Sequence, residues 1–202
     1  MKPEMKKRAA HVLAAAFYDY PSLSFYFPDP KSRMRRLAWY MGKVLNCAMA
    51  YGDALVTQDM SGVLFALPPG HTRLSQGEFI RHGFLPLPFV MGLRCYLRSE
   101  ECEKFVAGTH DKLLNGRKHY YLWGLAADPK KQRTGAGTAL LQSLIAKADA
   151  ENMPIYLETH KEQNVAYYER NGFALIHKDT IPVHGLEFFC MLREPREAGI
   201  NQ

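Results

Sequence analysis

Three basic side chains and two glycines follow an apolar run in the middle of the chain, and this combination favours anion binding. The run HYYLWGLAAD (119–128) predicts a buried strand, KKQRTGAG (130–137) a loop, and TALLQSLIAKADAEN (138–152) a helix with one apolar face. The first N–H groups of a helix lack intrahelical partners, and the helix dipole adds positive charge there. Gly135 and Gly137 let a ligand approach that backbone without a Cβ in the way. The segment therefore predicts a pyrophosphate site.

Two common nucleotide-binding patterns do not fit this segment. A P-loop requires a lysine directly after its last glycine, and neither Gly135 nor Gly137 is followed by one. The dinucleotide fingerprint requires a third glycine where Leu140 stands, and the repeated strand–helix units around it are missing. The pattern that does fit is Gln132-x-x-Gly135-x-Gly137, directly after a strand that ends in Ala-Asp-Pro.

Two blocks of sequence resemble one known superfamily. The stretch LAADPKKQRTGAGTALL (125–141) resembles the coenzyme A-binding motif of the GNAT superfamily of N-acetyltransferases. Downstream, IYLETHKEQNVAYYERNGF (155–173) resembles the strand and helix that follow in that superfamily, including an Asn and a Y-x-x-x-G-F ending. The blocks have the right order and spacing within 119–178. More loosely, GVLFALPPG (62–70) resembles a strand of the puromycin-acetyltransferase-like branch.

The resemblance implies a fold and a reaction. The implied fold is α/β, with a mixed, splayed central sheet flanked by helices. The implied reaction moves an acetyl group from acetyl-CoA to a primary amine of an acceptor, which we expect to be a small molecule, with a peptide amine as the other possibility. Acetyl-CoA or coenzyme A is thus the expected co-substrate, and the preference for acetyl over longer acyl chains stays open.

The same resemblance assigns the coenzyme contacts residue by residue. The pantetheine arm is expected to pair with strand backbone like an added strand, and a backbone N–H near Ala126 is placed to polarise the thioester carbonyl. The loop amides, with nearby cations, are expected to hold the phosphates. The implied coenzyme-binding residues are Leu125, Ala126, Ala127, Gln132, Arg133, Thr134, Gly135, Ala136, Gly137, Thr138 and Asn164. For Asn164 the residue pattern alone predicts an N-cap of the helix 164–173, and both roles are compatible.

Catalysis requires a proton donor for the sulfur and a proton acceptor for the amine. Tyr168 stands four residues before Gly172, where the superfamily often places a tyrosine near the coenzyme sulfur, and a phenol there protonates the leaving thiolate. Its neighbour Tyr167 points to a different helix face and is predicted to be core. Glu158 is the first candidate for the general base and His119 the second. A structural role for either, and an acceptor that arrives deprotonated, are the alternatives.

The elements that must position these residues follow from periodicity and punctuation. Helices are predicted at 4–17 and 31–47, separated by a segment (21–30) that three prolines make irregular. Strands are predicted at 52–58, 61–67 and 154–159, and an antiparallel pair at 173–180 and 184–192. The chain is interpreted as one domain (1–202), comprising N-terminal helices and strands (1–70), a helical insertion (71–117) and the acetyl-CoA-binding half (118–193). The superfamily's usual first strand is not evident before residue 5.

Two groups of apolar residues leave the acceptor side open. In the insertion, Phe84, Phe89, Met91 and Leu93 lack a one-face pattern and either pack in the core or line a substrate pocket. The same choice applies to Phe17, Tyr18, Phe25, Tyr26 and Phe27 near the N-terminus. The sequence therefore does not identify the acceptor.

Bulk composition sets the remaining bounds. The 202 residues are 47% hydrophobic and 12% aromatic, which excludes a disordered chain. The net charge of +6 suits an anionic ligand or nucleic acid. Basic clusters at 6–8 and 33–36 raise the alternative of nucleic-acid binding, but no recognition signature accompanies them, so no nucleic-acid partner is expected. The other alternative is a non-catalytic acyl-CoA-binding module. A homodimer is possible.

The four cysteines favour free thiols in a reducing compartment. None forms a C-x-x-C pair, and Cys95, Cys102 and His110 lack the number and tight local spacing of the ligands in a closed zinc site, so no metal is expected. The basic then apolar N-terminus fits an amphipathic helix better than a signal peptide. No run approaches the ~18 apolar residues of a membrane span. We expect a cytoplasmic protein with no membrane partner.

Overall fold

A six-stranded mixed sheet lies at the centre of the structure, a computed structural model that describes residues 2–131 and 134–196. In spatial order the strands are β1-β2-β3-β4-β6-β5. Their bounds are β1 Asp53–Val56, β2 Gly62–Leu67, β3 Tyr120–Ala127, β4 Ile155–Thr159, β5 Ala174–Ile181 and β6 Leu186–Arg193. The helices are α1 Pro3–Ala16, α2 Pro21–Tyr26, α3 Pro30–Tyr51, α4 Gln76–Arg81, α5 Leu87–Met91, α6 Leu93–Leu114, α7 Ala136–Ala150 and α8 Glu162–Glu169.

The sheet splits between its two middle strands. β3 and β4 are parallel and pair only through Tyr120 with Ile155 and Tyr121 with Tyr156. Every other pair of neighbouring strands is antiparallel and pairs over most of its length. Beyond the second pair β3 runs on to Ala127 while β4 diverges from it. The predicted α/β fold with a mixed, splayed sheet flanked by helices is therefore confirmed.

Helix α7 covers one face of the sheet and begins at the open end of β3. Leu141, Leu144 and Ala148 are buried against β2, β3 and β4, as their helical spacing predicts. Gly135 precedes the helix at φ +84°, a conformation that a residue with a Cβ rarely adopts. Asn152 at φ +51° ends the turn that follows the helix. The loop before α7 is thus directed to the gap by packing that the sequence encodes locally.

Helices α1 and α3 cover the other face together with the insertion. Their buried residues, such as Leu13, Leu37 and Leu45, form a second core with Phe27 and Phe188. No strand precedes α1 within the described residues 2–131, which agrees with the missing first strand in the sequence pattern. The side of the gap opposite α7 is therefore built from helices as well as strands.

The insertion between β2 and β3 is helical, as predicted, and ends at Asn115 and Gly116, which have φ values of +44° and +77°. A capping box of Ser75 and Glu78 starts α4. The four apolar residues left open divide between core and solvent: Phe84 and Met91 are buried, whereas Phe89 is 89% exposed and Leu93 is 66% exposed. None of the four lines the cavity described below.

Three local predictions were wrong. Residues 21–26 are helical, because Pro21 occupies the first helical turn, where its missing N–H costs nothing. Helix α8 begins earlier than predicted, after Lys161, so Asn164 lies inside the helix and does not cap it. Burial along β3 alternates, since one face packs under α7 and the other faces partly open space.

No helix within residues 2–131 and 134–196 is long and apolar enough to cross a membrane. In the same ranges no group of three or more His, Cys, Asp or Glu side chains is placed to hold a metal ion. All four cysteines are free thiols. The Sγ of Cys102 lies 3.2 Å from the Nε2 of His184.

Candidate functional site

A cavity of about 160 Å³ occupies the gap between the diverging strands. Its walls come from the α1–α2 region, α3, α6, both central strands and α8. Of its 22 lining residues, eight are Phe, Tyr or Trp and two are glutamates. The lining residues that matter for chemistry are Phe17, Tyr20, Tyr26, Tyr40, Cys102, Glu103, Tyr121, Trp123, Glu158, Asn164 and Tyr168. The two residues predicted to be catalytic, Glu158 and Tyr168, thus face one space.

Glu158 lies on β4, two residues beyond the last pairing with β3, and its side chain is only 7% exposed. Burial raises the pKa of its carboxyl to about 7, and the nearby negative charge of Glu103 adds to the effect. Its Oε1 atom has no hydrogen-bond partner. A carboxylate with a pKa near neutrality and a free oxygen is suited to accept a proton at physiological pH.

Tyr168 projects from α8 into the same cavity and is 9% exposed. Its ring packs against Tyr167 and Phe173, with centroids 5.2 and 5.5 Å away. Burial raises the pKa of the phenol well above its usual range, so the hydroxyl stays protonated at neutral pH. Tyr168 therefore lines the cavity as a neutral phenol.

Thr159 holds the end of β4 in place between helices. Its Oγ1 accepts a hydrogen bond from Asn164 Nδ2 at 2.9 Å and lies 3.1 Å from the Tyr20 hydroxyl. The same Tyr20 oxygen accepts from the backbone N–H of His160 at 2.8 Å. The Asn164 side chain thus binds β4 through Thr159 instead of capping a helix as the sequence predicted. It also lines the cavity. The network positions Glu158, the residue directly before Thr159.

Glu103 is the functional-site residue that the sequence analysis missed. It lies on α6 and lines the cavity, and the Tyr26 hydroxyl donates to its Oε1 at 3.1 Å. Burial raises the pKa of this carboxyl. Among the lining residues in the described part of the chain, none is a lysine or an arginine. The cavity therefore presents two carboxyl groups and aromatic faces, a combination suited to a cation once a carboxyl is ionised. Glu103 follows several charged residues of α6, and no local motif distinguishes it from them.

The predicted coenzyme loop lies at the other end of the gap. Gln132 and Arg133 fall outside the described residues. Thr134, Gly135 and Thr138 are exposed, and a Cβ built on Gly135 meets no atom within 4 Å. At Gly137 a Cβ would meet only side-chain atoms 4.0 Å away. The helix start is therefore open to a ligand, and no side chain caps it.

The edge of β3 that faces β4 is also free of a strand partner beyond Tyr121. Leu125 lines the cavity, Ala126 is buried and Ala127 is half-buried. The unpaired edge, these small side chains and the open helix start fit a pantetheine arm with a pyrophosphate. Lys131, one of the loop cations, is paired with Asp59 at 2.9 Å.

Two neighbouring predictions need revision. The hydroxyl of Tyr167, predicted to be core, lies 3.4 Å from Thr138 Oγ1 at the start of α7, and its ring is only half-buried. His119, the second candidate base, does not line this cavity. It borders a smaller cavity of about 150 Å³ and contacts His110.

Comparison with known proteins agrees with this geometry. Residues 89–173 match the sequence profile of the Acetyltransferase (GNAT) family. The matched range contains α6, β3, α7, β4 and α8, which supply most of the site.

Solved structures share the fold. A histone acetyltransferase HPA2 and related acetyltransferase from Corynebacterium glutamicum aligns with a TM-score of 0.64 at 18% identity, covering 99% of this chain and 96% of that one. A putative GNAT-family acetyltransferase from Desulfovibrio desulfuricans aligns at 0.53 with 14% identity, covering 96% and 94%. A mosquito arylalkylamine N-acetyltransferase like 5b aligns at 0.51 with 14% identity, covering 96% of each chain. At these identities the likeness concerns the fold alone.

Proposed function

We propose that the protein is an acetyl-CoA-dependent N-acetyltransferase that acts on the primary amine of a small cationic acceptor. The observation that carries the proposal is the cavity in the sheet gap, which Glu158, Glu103 and Tyr168 all line, with the open start of α7 at the other end of the gap. A volume of about 160 Å³ lies below the ~300 Å³ typical of drug-sized sites. This favours a compact acceptor over a bulky one.

The coenzyme side is proposed to bind through backbone. The free edge of β3 at Leu125–Ala127 is suited to the pantetheine amides, and the amides of Gly135–Thr138 are suited to the pyrophosphate. Gln132 and Arg133 keep their predicted phosphate roles as part of the proposal. When bound, acetyl-CoA supplies the acetyl group as an activated thioester.

The acceptor side is proposed to bind an ammonium and then neutralise it. Aliphatic ammonium groups have a pKa of ~10.4 in water, so transfer of the proton to a carboxylate with a pKa of about 7 costs roughly 5 kcal/mol. A turnover of ~10 per second corresponds to a barrier of ~16 kcal/mol, so this cost is tolerable. Removal of the ammonium from bulk water lowers this cost, because desolvation favours the neutral amine. Glu158 is the proposed base, and Glu103 the proposed partner of the cation.

Tyr168 is proposed to supply the proton that the departing sulfur needs. Its burial keeps the phenol protonated, and it faces the cavity that Glu158 also faces. A donor and an acceptor with widely separated pKa values can each act in its own direction at neutral pH.

Calorimetric titration with acetyl-CoA tests the coenzyme site first. Gly135→Glu places a negative side chain at the start of α7, and we expect it to abolish the binding seen with the intact protein. Gly92→Glu is the matched control, because Gly92 also has φ near +85° with no atom within 4 Å of a built Cβ. No binding by the intact protein, or equal loss in both variants, would contradict the proposed site.

Thiol release with a panel of amines tests the acceptor class. We expect turnover with compact primary amines that are cationic at pH 7, and little with neutral or anionic amines of similar size. A preference for anionic acceptors would contradict the proposed role of the two carboxylates.

A further inference from the structure

Glu158 lines the acceptor cavity but not a second cavity of about 150 Å³, which is lined by His110, His119 and the loop that carries Arg117 and Lys118. His110 occupies the space between Glu158 and His119. Its Nδ1 is 3.7 Å from Glu158 Oε1, and its Nε2 is 2.7 Å from His119 Nε2. Carboxylate, imidazole and imidazole thus form one row from the acceptor cavity to the second cavity.

The proton positions along this row follow from one carbonyl. His119 Nδ1 is 2.7 Å from the carbonyl oxygen of Arg117, which can only accept, so Nδ1 carries a hydrogen. Burial lowers the pKa of both imidazoles, that of His110 to about 4, so both rings are neutral at pH 7. A neutral His119 then accepts at Nε2, and His110 Nε2–H is the donor. This leaves the lone pair of His110 Nδ1 directed at Glu158.

This arrangement explains an otherwise costly feature of Glu158. An ionised carboxylate oxygen and an imidazole lone pair repel each other, which accounts for the 3.7 Å separation and for the buried Oε1 that lacks a hydrogen-bond partner. Protonation of Oε1 reverses the relation, because O–H can then donate to Nδ1. The contact is therefore open when Glu158 is ionised and closes when Glu158 has gained a proton.

We propose that His110 and His119 carry the proton that Glu158 takes from the acceptor to the second cavity. This inference rests on the proposed function, in which Glu158 is the base. The O–H bond at Glu158 Oε1 breaks as an N–H bond forms at His110 Nδ1. The N–H bond at His110 Nε2 breaks as one forms at His119 Nε2. The imidazolium of His119 then releases its Nδ1 proton to water in the second cavity, and rotation of both rings restores their starting tautomers.

The reaction needs such an exit. Acetylation of an ammonium by a thioester yields an amide, a thiol and one proton, so Glu158 must be deprotonated in every cycle. The acceptor cavity is filled by substrates at that moment, and Glu158 is 7% exposed. The second cavity provides a route that does not pass through the substrates. His110 and His119 are positioning residues in this scheme, since neither lines the acceptor cavity.

The surroundings keep the row neutral until Glu158 delivers a proton. The charged and titratable groups that face the two imidazoles are Glu158, Asp111, Arg73, Arg117, Lys118, Tyr121 and Tyr156. Arg73 also pairs with Asp111 at 2.9 Å, which offsets the charge of that carboxylate. Neighbouring groups therefore leave Glu158 as the proton source of the row.

Nitrogen-15 NMR of the free protein tests the row without any substrate. We expect His119 as the Nδ1–H tautomer and His110 as the Nε2–H tautomer at pH 7. The opposite tautomer at His110 would place a hydrogen between His110 and Glu158 in the resting state and would overturn the proposed direction of transfer.

Chemical rescue tests the transfer itself with the best amine of the panel. His119→Ala opens space beside the second cavity, and we expect its kcat to fall about tenfold in weakly buffered solution, less than the ~1000-fold expected when the base Glu158 is itself removed. Millimolar imidazole, which is not a primary amine, should restore the rate. His110→Gln retains a polar side chain but cannot relay, and imidazole should not restore it.

Controls separate the relay from folding and from the proposed function. Both variants should keep the acetyl-CoA affinity and melting temperature of the intact protein within small changes. If the intact protein acetylates amines and His119→Ala does so equally fast, or slowly without any response to imidazole, the relay is wrong while the proposed function stands. If the intact protein acetylates no amine, the proposed function fails first, and the relay fails with it.

Discussion

The coenzyme side and the acceptor side of the gap are built by different means. The coenzyme side is one continuous stretch, 120–150, in which a strand edge and a helix start offer backbone groups. The acceptor side joins distant segments through side chains, as in the contact between Tyr20 and Thr159, which are 139 residues apart. A backbone site tolerates many side chains, whereas a side-chain site changes with each substitution. Under the proposed function, the shared substrate and the specific one would be recognised by separate parts of the fold.

Removing the proposed base should give the largest loss of kcat and should leave the coenzyme side unaffected. Glu158→Gln should lower kcat by about a thousandfold, within the range for lost general-base catalysis, and leave acetyl-CoA affinity unchanged. In the intact protein kcat/KM should fall as the pH drops through about 7, because Glu158 becomes protonated. That inflection should vanish in the variant. Glu162→Gln, at an exposed position of α8, is the control. A retained inflection would assign it to another group.

The same substitution should stabilise the folded protein at alkaline pH. The pKa of Glu158 is raised from 4.5 to about 7 in the fold, so the folded state binds more protons than the unfolded state between these values. Stability therefore falls as the pH rises through this window, by about 3 kcal/mol in total. Denaturant melts of Glu158→Gln and the intact protein should differ by about this amount at pH 8 and converge at pH 4. A constant difference would indicate lost packing instead.

Removing the proposed proton donor should come next. Tyr168→Phe keeps the ring among Tyr167 and Phe173 and removes only the hydroxyl, so we expect kcat to fall about a hundredfold with little loss of stability. Tyr167→Phe is the control and should change kcat less than about twofold. Equal effects in steady-state assays would show that neither phenol is the donor.

Neutralising the second carboxylate should have the smallest effect and sharpen the comparison. Glu103→Gln should raise KM for a cationic amine about tenfold, equivalent to ~1.4 kcal/mol, and leave kcat nearly unchanged. Affinity for acetyl-CoA should not change, because the coenzyme side is separate. Glu101→Gln, on the exposed face of α6, is the control. A change in coenzyme affinity would mean that the two sides are not independent.

How much the sequence could predict follows the same division. The strand, loop and helix of the coenzyme side are contiguous, so local periodicity and a family resemblance located them together with Glu158 and Tyr168. Glu103 could not be found this way, because its role depends on how α6 docks against the strands. The helix at 21–26 was missed because its prolines looked like breaks, although one of them begins the helix. The predicted capping role of Asn164 was wrong, because α8 begins after Lys161 and the Asn164 amide donates instead to Thr159, five residues earlier.

Two pairs of residues join the parallel strands β3 and β4, and this seam has a consequence for motion. Past Tyr121 and Tyr156 the two halves of the sheet share no strand pairing, so they can hinge about that point. A pantetheine arm along the free edge of β3 would take the place of the strand pairing that is missing there. In free protein the β3 amides that face the gap should exchange their hydrogens quickly, and saturating coenzyme should slow them. A bound coenzyme would then connect the two halves of the sheet before it takes part in any reaction.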